Sequence, residues 1–339
     1  MNKLVLFTFD YELFLGNKSG TVAECLIIPT NKLLQLLETA GFKAVFFIDT
    51  IYLLRLEEIS KDYKLARDDF RNITEQIKLI CKKGHNIFPH IHPHWKDAKY
   101  IPEINEWSIS NTRYYRFSDI PGDIQDDYFK YSVNFINKFL PTGSEYLTDS
   151  YRAGGWCIQP FENFRPRFMK HHIRHDWSVI PGRYQFSNAH YFDFKQAPVD
   201  KPVYKFSRNV CVEDQYGEFT EWTISSLEFT PFEKWIDFKI NGLKQRLFGR
   251  TEYKGATVNA EVKEEGDSLA NSKQIRIIAS LEGLNIIRLK KYIKKIKKDN
   301  YFQFISHPKL LSKFDFTLIS KLFKSLQKVK NIQTDFRKL

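Results

Sequence analysis

The feature that most constrains the fold is an alternation of short apolar runs with longer amphipathic segments over the first ninety residues. The runs "KLVLFTFD" (3–10), "KAVFFID" (43–49) and "NIFPHIH" (86–92) are each typical of a buried strand. The segments between them, 29–41 and 66–84, have helical character, and each ends in a glycine. Strands that alternate with helices pair in parallel through crossovers, so the pattern predicts an α/β sheet or barrel.

The alternation is interrupted in the middle of the chain and returns near its end. Further helices are predicted over 126–141, from Pro160 to about His171, near 231–249 and over 284–298, and further strands at 150–156 (where a loop follows), 174–179 and 301–307. Residues 183–280 contain β-like patches and a polar stretch at 254–272 that break the pattern. We therefore expect residues 1–182 and 281–339 to form the main domain, with 183–280 as an elaboration on it.

Charge and cysteine usage limit the classes of partner and the compartment. Lys and Arg exceed Asp and Glu by 52 to 40, a net charge of +12, which favours an anionic partner such as phosphate, nucleic acid or acidic lipid. A nucleic-acid-binding module is not recognisable, so we expect no nucleic-acid partner. The four cysteines are far apart, and neither a membrane-spanning run nor a signal peptide is evident. These observations predict a cytoplasmic protein without a disulfide framework.

The segment "GHNIFPHIHPHW" (84–95) contains four of the nine histidines: His85, His90, His92 and His94. His90 and His94 are four residues apart, and two imidazoles that converge with one carboxylate make a catalytic zinc site with one position open for water. The H-E-x-x-H zinc motif is absent, so a general base has to come from elsewhere. Packing around the prolines is the alternative interpretation. His92 is expected to pack, because it should point away from its neighbours.

Polar residues recur at the ends of predicted strands. Asp10, His90 to His94, Arg152, Asp176 and His307 each lie at or just after the C-terminal end of such a strand. In α/β barrels and open sheets, that rim is where active sites are built. The positions therefore predict a single site formed by several strands.

Five short segments occur in a fixed order: "TFDYE", "GHNIFPHIHPH", "RAGGW", "HDWS" and "FISHPK". This ordered set resembles the five motifs of the polysaccharide deacetylases, that is, carbohydrate esterase family 4 or the NodB-homology domain. The resemblance covers residues 4 to about 310. It implies a distorted (β/α)7-type barrel with a β-containing insertion, and a zinc-dependent hydrolase that cleaves C–N bonds.

The resemblance implies a metal bound by His90, His94 and an acid of the first motif. The family usually has an aspartate directly after the base Asp10, and this chain has Tyr11 there. Some members place the metal-binding acid two residues after the base, which makes Glu12 the third ligand. Alternation along a strand agrees, because Asp10 and Glu12 share one side.

The same resemblance implies four catalytic residues. Asp10 is the general base, and Arg152 pairs with it and orients it. His307 is the general acid, and Asp176 fixes the orientation of His307.

Four aromatic residues near these motifs are candidates for substrate binding: Trp177, Trp95, Tyr11 and Trp156. Trp177 would form an apolar wall of the groove. Trp95 would stack on a sugar ring or belong to the core, and Tyr11 would donate a hydrogen bond to substrate or pack.

Taken together, the sequence predicts a metal-dependent deacetylase that removes an N-acyl group, with acetyl as the first candidate, from an amino sugar. A cytoplasmic enzyme would act on a nucleotide- or lipid-linked intermediate of a surface polysaccharide such as a lipopolysaccharide. The alternatives are a deformylase or another C–N amidohydrolase, and a non-catalytic module that binds glycan or membrane. The lysine-rich segment 289–298 would be a helix docked on its own domain, or a contact with an anionic membrane.

Overall fold

A large, mostly parallel sheet forms the centre of the structure, a computed structural model that describes residues 3–16, 18–109, 113–140, 148–248 and 262–338. The strands of the described residues, in this sheet and in smaller ones, are β1 (Lys3–Tyr11), β2 (Val45–Asp49), β3 (Asn86–Ile91), β4 (Lys99–Ile101), β5 (Glu106–Ser108), β6 (Ser150–Ala153), β7 (His175–Asp176), β8 (Arg183–Ser187), β9 (Tyr191–Asp193), β10 (Val203–Phe206), β11 (Phe219–Trp222), β12 (Ser226–Phe229), β13 (Val262–Asp267), β14 (Ile275–Ile278), β15 (Tyr301–Ser306) and β16 (Ile332–Gln333).

The helices lie mostly between these strands in the chain. They are α1 (Ile28–Ala40), α2 (Thr50–Ile59), α3 (Lys64–Lys82), α4 (Gly122–Asn137), α5 (Arg165–Lys170), α6 (Pro231–Phe248), α7 (Ile286–Lys298) and α8 (Lys313–Leu326). One turn of π-helix, Ala23–Ile27, leads directly into α1. Short 3₁₀ helices include Pro93–Asp97 after β3 and Pro308–Leu310 after β15.

Seven strands pair in parallel in the order β15-β1-β2-β3-β6-β7-β11, and β10 adds an antiparallel edge next to β11. The outer edge of β15 is bonded to chain that follows β11 and β14. Ser225 donates its N–H to the carbonyl of Gln303 (3.2 Å), and Ile305 donates to the carbonyl of Ala279 (2.9 Å). These bonds bring the two ends of the sheet together and curl it into a distorted barrel, which confirms the predicted α/β fold.

Residues 183–280 contribute to the barrel as well as to structure around it. β10 and β11 extend the main sheet, whereas β8, β9 and β13 form a separate three-stranded sheet, and β12 pairs with β14. Of the polar stretch predicted at 254–272, residues 254–261 lie outside the described residues, and β13 covers 262–267. The boundaries predicted for the elaboration therefore enclose two strands of the central sheet.

The predicted helices appear with small shifts, and two helices were not predicted. The segment from Pro160 forms a 3₁₀ turn first, so that the helix there, α5, begins only at Arg165. The unpredicted α2 starts directly where β2 ends, with the Asp49 carboxylate accepting a hydrogen bond from the N–H of Tyr52 (3.3 Å). The unpredicted α8 begins at a reciprocal capping box between Ser312 and Asp315.

The core is rich in phenylalanine because the central strands are covered on both faces. Phe7 of β1 is 0 % exposed. Its ring centroid lies 5.3 Å from that of Phe304, 5.8 Å from that of Phe42 and 4.9 Å from that of Phe323. All four cysteines are free thiols. Within the described residues, no helix has the length and apolarity that crossing a bilayer requires.

We expect Phe7→Ala to lower the free energy of unfolding by about 3–5 kcal/mol, because the change leaves a cavity among three aromatic rings. Chemical denaturation followed by circular dichroism measures this. Phe232→Ala is the matched control, since Phe232 is 68 % exposed and its removal should change stability by no more than about 0.5 kcal/mol. Equal effects of the two substitutions would contradict the packing described for Phe7.

Candidate metal centre and active site

Neighbouring strands of the barrel place polar side chains together at their C-terminal ends. Asp10 lies at the end of β1, His90 at the end of β3 and Arg152 in β6, and His307 follows β15 directly. The parallel registers pair Phe9 with Ser306 and His90 with Arg152, so these residues meet at one rim. The structure therefore brings together most of the residues that the sequence predicted for the site.

Asp10 and Arg152 form an ion pair that is almost completely buried. Nη1 of Arg152 lies 2.6 Å from Oδ1 of Asp10, and its other nitrogens donate to Oγ1 of Thr8 (2.8 Å) and to the carbonyl of Trp177 (2.9 Å). The guanidinium also lies 4.0 Å from the ring centroid of Phe47. Burial alone would raise the pKa of Asp10, but Arg152 and two histidines outweigh it and lower the pKa. Asp10 is therefore ionised, and Oδ2 is left facing the rest of the site.

Glu12, His90 and His92 form a buried group in which one ligand atom of each residue lies within 4.8 Å of the others. Oε2 of Glu12 is 3.3 Å from Nε2 of His90 and 2.5 Å from Nε2 of His92, and the two ring nitrogens are 3.0 Å apart. Oδ2 of Asp10 is 3.9 Å from Nε2 of His90. Two imidazoles and one carboxylate thus point at a common centre.

The hydrogen bond at the far side of the His90 ring fixes which nitrogen is free. Nδ1 of His90 lies 2.9 Å from the carbonyl of Arg152, which can only accept, so Nδ1 carries the proton. In the neutral ring Nε2 then presents a lone pair to Nε2 of His92 and to the Glu12 carboxylate. Two imidazole nitrogens and a carboxylate oxygen that face one another form a donor set that suits a divalent metal.

The third member of this group is His92, and His94 is not part of it, although the ring centroids of His92 and His94 are 4.9 Å apart. His92 is still extended (φ −109°, ψ 95°), so its ring shares one side of the chain with His90 and does not point away from it. Pro93 then starts a 3₁₀ helix that carries His94 toward Tyr115, with ring centroids 5.8 Å apart. Both ring nitrogens of His94 are buried and have no hydrogen-bond partner among the described residues, and burial keeps the pKa of His94 well below its usual value.

Lys309 is a site residue that the sequence analysis did not single out. Its ammonium group lies 2.9 Å from Oε1 of Glu12 and donates to the carbonyl of Leu13 (2.6 Å). Burial acts to raise the pKa of Glu12, but Lys309 and His92 lower it well below its usual value. The sequence contained a signal for this contact. Lys309 lies two residues after His307, just as Glu12 lies two residues after Asp10, and the strands before them, β15 and β1, are neighbours.

His307 stands at the open side of the site, with 22 % of its side chain exposed. Nε2 is 3.7 Å from Oδ2 of Asp10 and 3.6 Å from Oε1 of Glu12. Nδ1 is 2.8 Å from Oε1 of Glu282, which also accepts the backbone N–H of His307. Burial opposes protonation of the ring, but Glu282, Glu12 and Asp10 overcome this effect and raise the pKa of His307 to about 9.

Asp176 does not hold His307, because its carboxylate faces a different part of the barrel. It accepts hydrogen bonds from Oγ (2.9 Å) and N–H (3.3 Å) of Ser178, and Oγ of Ser178 accepts the N–H of Ala153. Asp176 lies beside Glu221 of β11, and burial raises the pKa of both carboxyl groups. Asp176 thus supports the strand that carries Arg152, and Glu282 occupies the position expected for Asp176.

Three of the four aromatic residues predicted to bind substrate are core residues. Trp177 is 0 % exposed and stacks on Trp222 (5.2 Å between centroids), so it forms no groove wall. Trp95 is 0 % exposed and donates Nε1–H to Asp49 (2.5 Å), and Tyr11 is 2 % exposed and donates to Gln76 (2.8 Å).

Trp156 is the one of the four that reaches solvent. It lies in a left-handed conformation (φ 59°) and lines a cavity of about 360 Å³ together with Ile180, Arg183, Tyr184 and Phe192, among others. Of the four predicted aromatic contacts, Trp156 alone is placed where a ligand can reach it.

Steric contacts explain why the two middle residues of "RAGGW" are glycines. A Cβ at Gly154 would lie 2.5 Å from the carbonyl oxygen of Ile91 and 2.7 Å from Nδ1 of His92. At Gly155 (φ 57°) it would lie 2.6 Å from the hydroxyl of Tyr115. The absence of side chains at these two glycines therefore leaves room for His92 to approach Glu12 and His90.

The chain has likenesses among solved structures. A comparison with protein-family models finds no match, and a comparison with curated protein sequences finds none either. A protein described as a polysaccharide deacetylase from Mycobacterium smegmatis is 11 % identical, with 100 % of this chain and 89 % of that chain covered and a TM-score of 0.47. A family 4 carbohydrate esterase from Streptomyces lividans is 10 % identical over 99 % and 93 % of the two chains, with a TM-score of 0.39.

A second kind of neighbour acts on α-glucans. A 4-α-glucanotransferase from Thermococcus litoralis is 11 % identical with a TM-score of 0.49, and the match covers 100 % of this chain and 40 % of that chain. Several polysaccharide deacetylases are among the neighbours, in agreement with the resemblance seen in the sequence. At these identities and TM-scores, the likenesses do not define the activity of this chain.

We expect His92→Ala to lose most of its bound metal and His94→Ala to keep it, because only His92 points at the Glu12–His90 pair. Zinc loading, dialysis and elemental analysis of the purified variants measure this. His85→Ala is the control, since His85 accepts the N–H of Ala44 (3.2 Å) away from the group. Loss of metal from His94→Ala with retention in His92→Ala would show that the pair His90 and His94 binds it instead.

We expect Gly154→Ala to weaken metal binding by roughly 10- to 100-fold, the usual range for a residue that positions a ligand. The added methyl group has to displace the His92 ring or the Ile91 carbonyl. Competition with a chromogenic chelator measures the affinity. Gly242→Ala is the matched control, because a Cβ there has no neighbour within 4 Å, and an affinity for Gly154→Ala equal to that of this control would contradict the close approach.

Proposed function

We propose that this protein is a metal-dependent deacetylase that hydrolyses the N-acyl group, acetyl in the first place, of an amino sugar. The observation that carries the proposal is one arrangement: Asp10 lies beside the Glu12–His90–His92 group, and His307 stands on the open side. A base, a set of metal ligands and an acid that are close enough to act on the same amide group suit hydrolysis of an amide.

The metal that fits this donor set best is zinc, since two imidazoles and one carboxylate that leave a position open are typical of catalytic zinc sites. When bound there, zinc lowers the pKa of water and polarises a carbonyl group. The carbonyl of Arg152 orients the His90 ring, and the ammonium group of Lys309 pairs with Glu12. Both contacts hold the ligands in position for a metal.

Asp10 is proposed as the general base. Arg152 holds one carboxylate oxygen, so the other, Oδ2, remains free to accept a proton from the attacking water. The lowered pKa keeps Asp10 ionised at neutral pH, and the hydrogen bonds that Arg152 donates to Trp177, Thr8 and Asp10 fix the direction of the guanidinium. Arg152 is a positioning residue in this scheme, because it acts through Asp10.

His307 is proposed as the general acid. Its Nδ1–H is held by Glu282, so that Nε2 carries the proton that the departing nitrogen needs. Without that proton the tetrahedral species would expel water, because an amide anion is a far poorer leaving group. With a pKa of about 9, His307 is protonated at neutral pH, and its partial exposure lets a substrate nitrogen approach.

The substrate proposed is a nucleotide- or lipid-linked acetamido sugar used in surface-polysaccharide synthesis. The support is the net charge of +12, which suits a phosphate-bearing substrate, together with the partly exposed Trp156, which can contact a sugar face. A formamido sugar is the other candidate for the same chemistry.

We expect Asp10→Asn to keep its metal and to lose roughly 10²- to 10⁴-fold in turnover, because the amide cannot accept the proton. His90→Ala should lose the metal and the activity together. Release of acetate and formate from a panel of acetamido and formamido sugars, with elemental analysis of each variant, separates the two effects. Tyr216→Ser, a change at an exposed residue, is the control. Wild-type turnover by Asp10→Asn would remove it as the base, and a metal-loaded protein inactive on the entire panel would contradict the proposed reaction.

A further inference from the structure

The helix α6 carries charged residues on the side that faces the protein. Asp237 is 1 % exposed and accepts hydrogen bonds from Nε of Arg288 (2.7 Å) and Nδ2 of Asn285 (2.8 Å). One to two turns further along, Lys244 is 9 % exposed and pairs with Asp315. Hydrogen bonds and ion pairs of these two residues therefore help to attach α6 to the barrel.

The opposite side of α6, which faces solvent, is apolar. Phe232, Trp235, Phe238 and Leu243 are 68 %, 55 %, 68 % and 57 % exposed, and we call these four residues the α6 aromatic face. The rings of Phe232 and Trp235 stack with centroids 6.1 Å apart. Phe232, Trp235 and Phe238 follow one another at intervals of three residues, which keeps neighbouring side chains close together, and Leu243 lies about three turns beyond Phe232 on the same side.

This polarity is the reverse of that of an ordinary surface helix, which buries its apolar stripe and exposes its charges. Isolated exposed apolar residues are common, but a contiguous group with two phenylalanines and a tryptophan marks an interaction surface. Within the described residues, these four side chains remain more than half exposed. The face therefore suits a binding partner that accepts aromatic rings.

The surroundings of the α6 aromatic face are basic. Lys239 lies 5.6 Å from the ring centroid of Trp235 and is exposed, as is Arg246. Lys291 of the neighbouring helix α7 binds Glu233 of α6 at 2.9 Å, so the two helices lie side by side. The exposed lysines of α7 are Lys290, Lys294, Lys297 and Lys298.

We propose that the α6 aromatic face docks the protein on an anionic membrane surface. Aromatic rings on one side of a helix, with lysines beside them, match the composition of helices that lie in the headgroup region of a bilayer. The lysines of α7 would then lie near anionic lipid headgroups and add electrostatic attraction. A second copy of the chain is a poorer occupant, because pairing of two such faces would bring two sets of these lysines together.

The test is sedimentation of the full-length protein with vesicles of phosphatidylcholine alone and of phosphatidylcholine mixed with phosphatidylglycerol. We expect binding to the mixed vesicles that weakens as salt is raised, and little binding to phosphatidylcholine. In the double variant Trp235→Ser/Phe238→Ser, the partition coefficient should fall by roughly tenfold or more, since each ring contributes apolar burial. Lys294→Gln and Lys298→Gln should each reduce it by roughly fivefold.

Two controls make the outcome specific to α6. Val199→Ser/Tyr216→Ser removes two comparably exposed apolar side chains elsewhere, and it should bind as the wild type does. Vesicles with brominated acyl chains should quench the fluorescence of the wild type and much less that of Trp235→Phe, which still binds. Circular dichroism establishes that each variant is folded.

Several results would overturn the proposal. They are no sedimentation of the wild type with anionic vesicles, equal binding of the Trp235→Ser/Phe238→Ser variant, and quenching that does not depend on Trp235. Concentration-dependent dimers, detected by light scattering and abolished by the same double variant, would assign the face to a second copy of the chain. None of these readouts depends on the deacetylase activity.

Discussion

The buried contact between Arg152 and Asp10 is the interaction on which the rest of the site depends. A carboxylate with 4 % of its side chain exposed would lose its charge without a partner, and a guanidinium with none exposed would be still more costly. Arg152 joins β6 to β1 and reaches β7 through the Trp177 carbonyl, while its own carbonyl fixes the ring of His90. One residue thus orients the proposed base and one proposed metal ligand.

The sequence was a good guide to the barrel because its buried parallel strands are continuous apolar runs. It was a weaker guide where an element lacks a turn signal, as at α2, which starts on the residue after β2. The closure of the barrel could not be predicted, since it rests on isolated hydrogen bonds of Ser225 and Ala279 with β15, and such bonds follow no periodic pattern in the sequence.

For the site, the ordered motifs predicted which strand ends meet at the rim. They did not predict which side chains contact each other there. The choice between His92 and His94 depends on the residue at which β3 ends and Pro93 turns the chain, and boundaries of elements are poorly defined by sequence. Glu282 could not be found, because it lies in a loop 25 residues before His307 and meets it only in the folded chain. Trp177 is a core residue and not a groove residue, and a motif position does not reveal whether a side chain just after a short strand is covered.

The way in which the barrel closes has a consequence for the segment 183–280. This segment supplies β11 and the residues that bond to the outer edge of β15, so it is an integral part of the central sheet. A chain shortened by this segment would have two open edges with unsatisfied amide and carbonyl groups, of the kind that recruit strands from other molecules. The barrel is therefore closed only when the segment is present, so that the segment shields the strand edges of the barrel from other molecules.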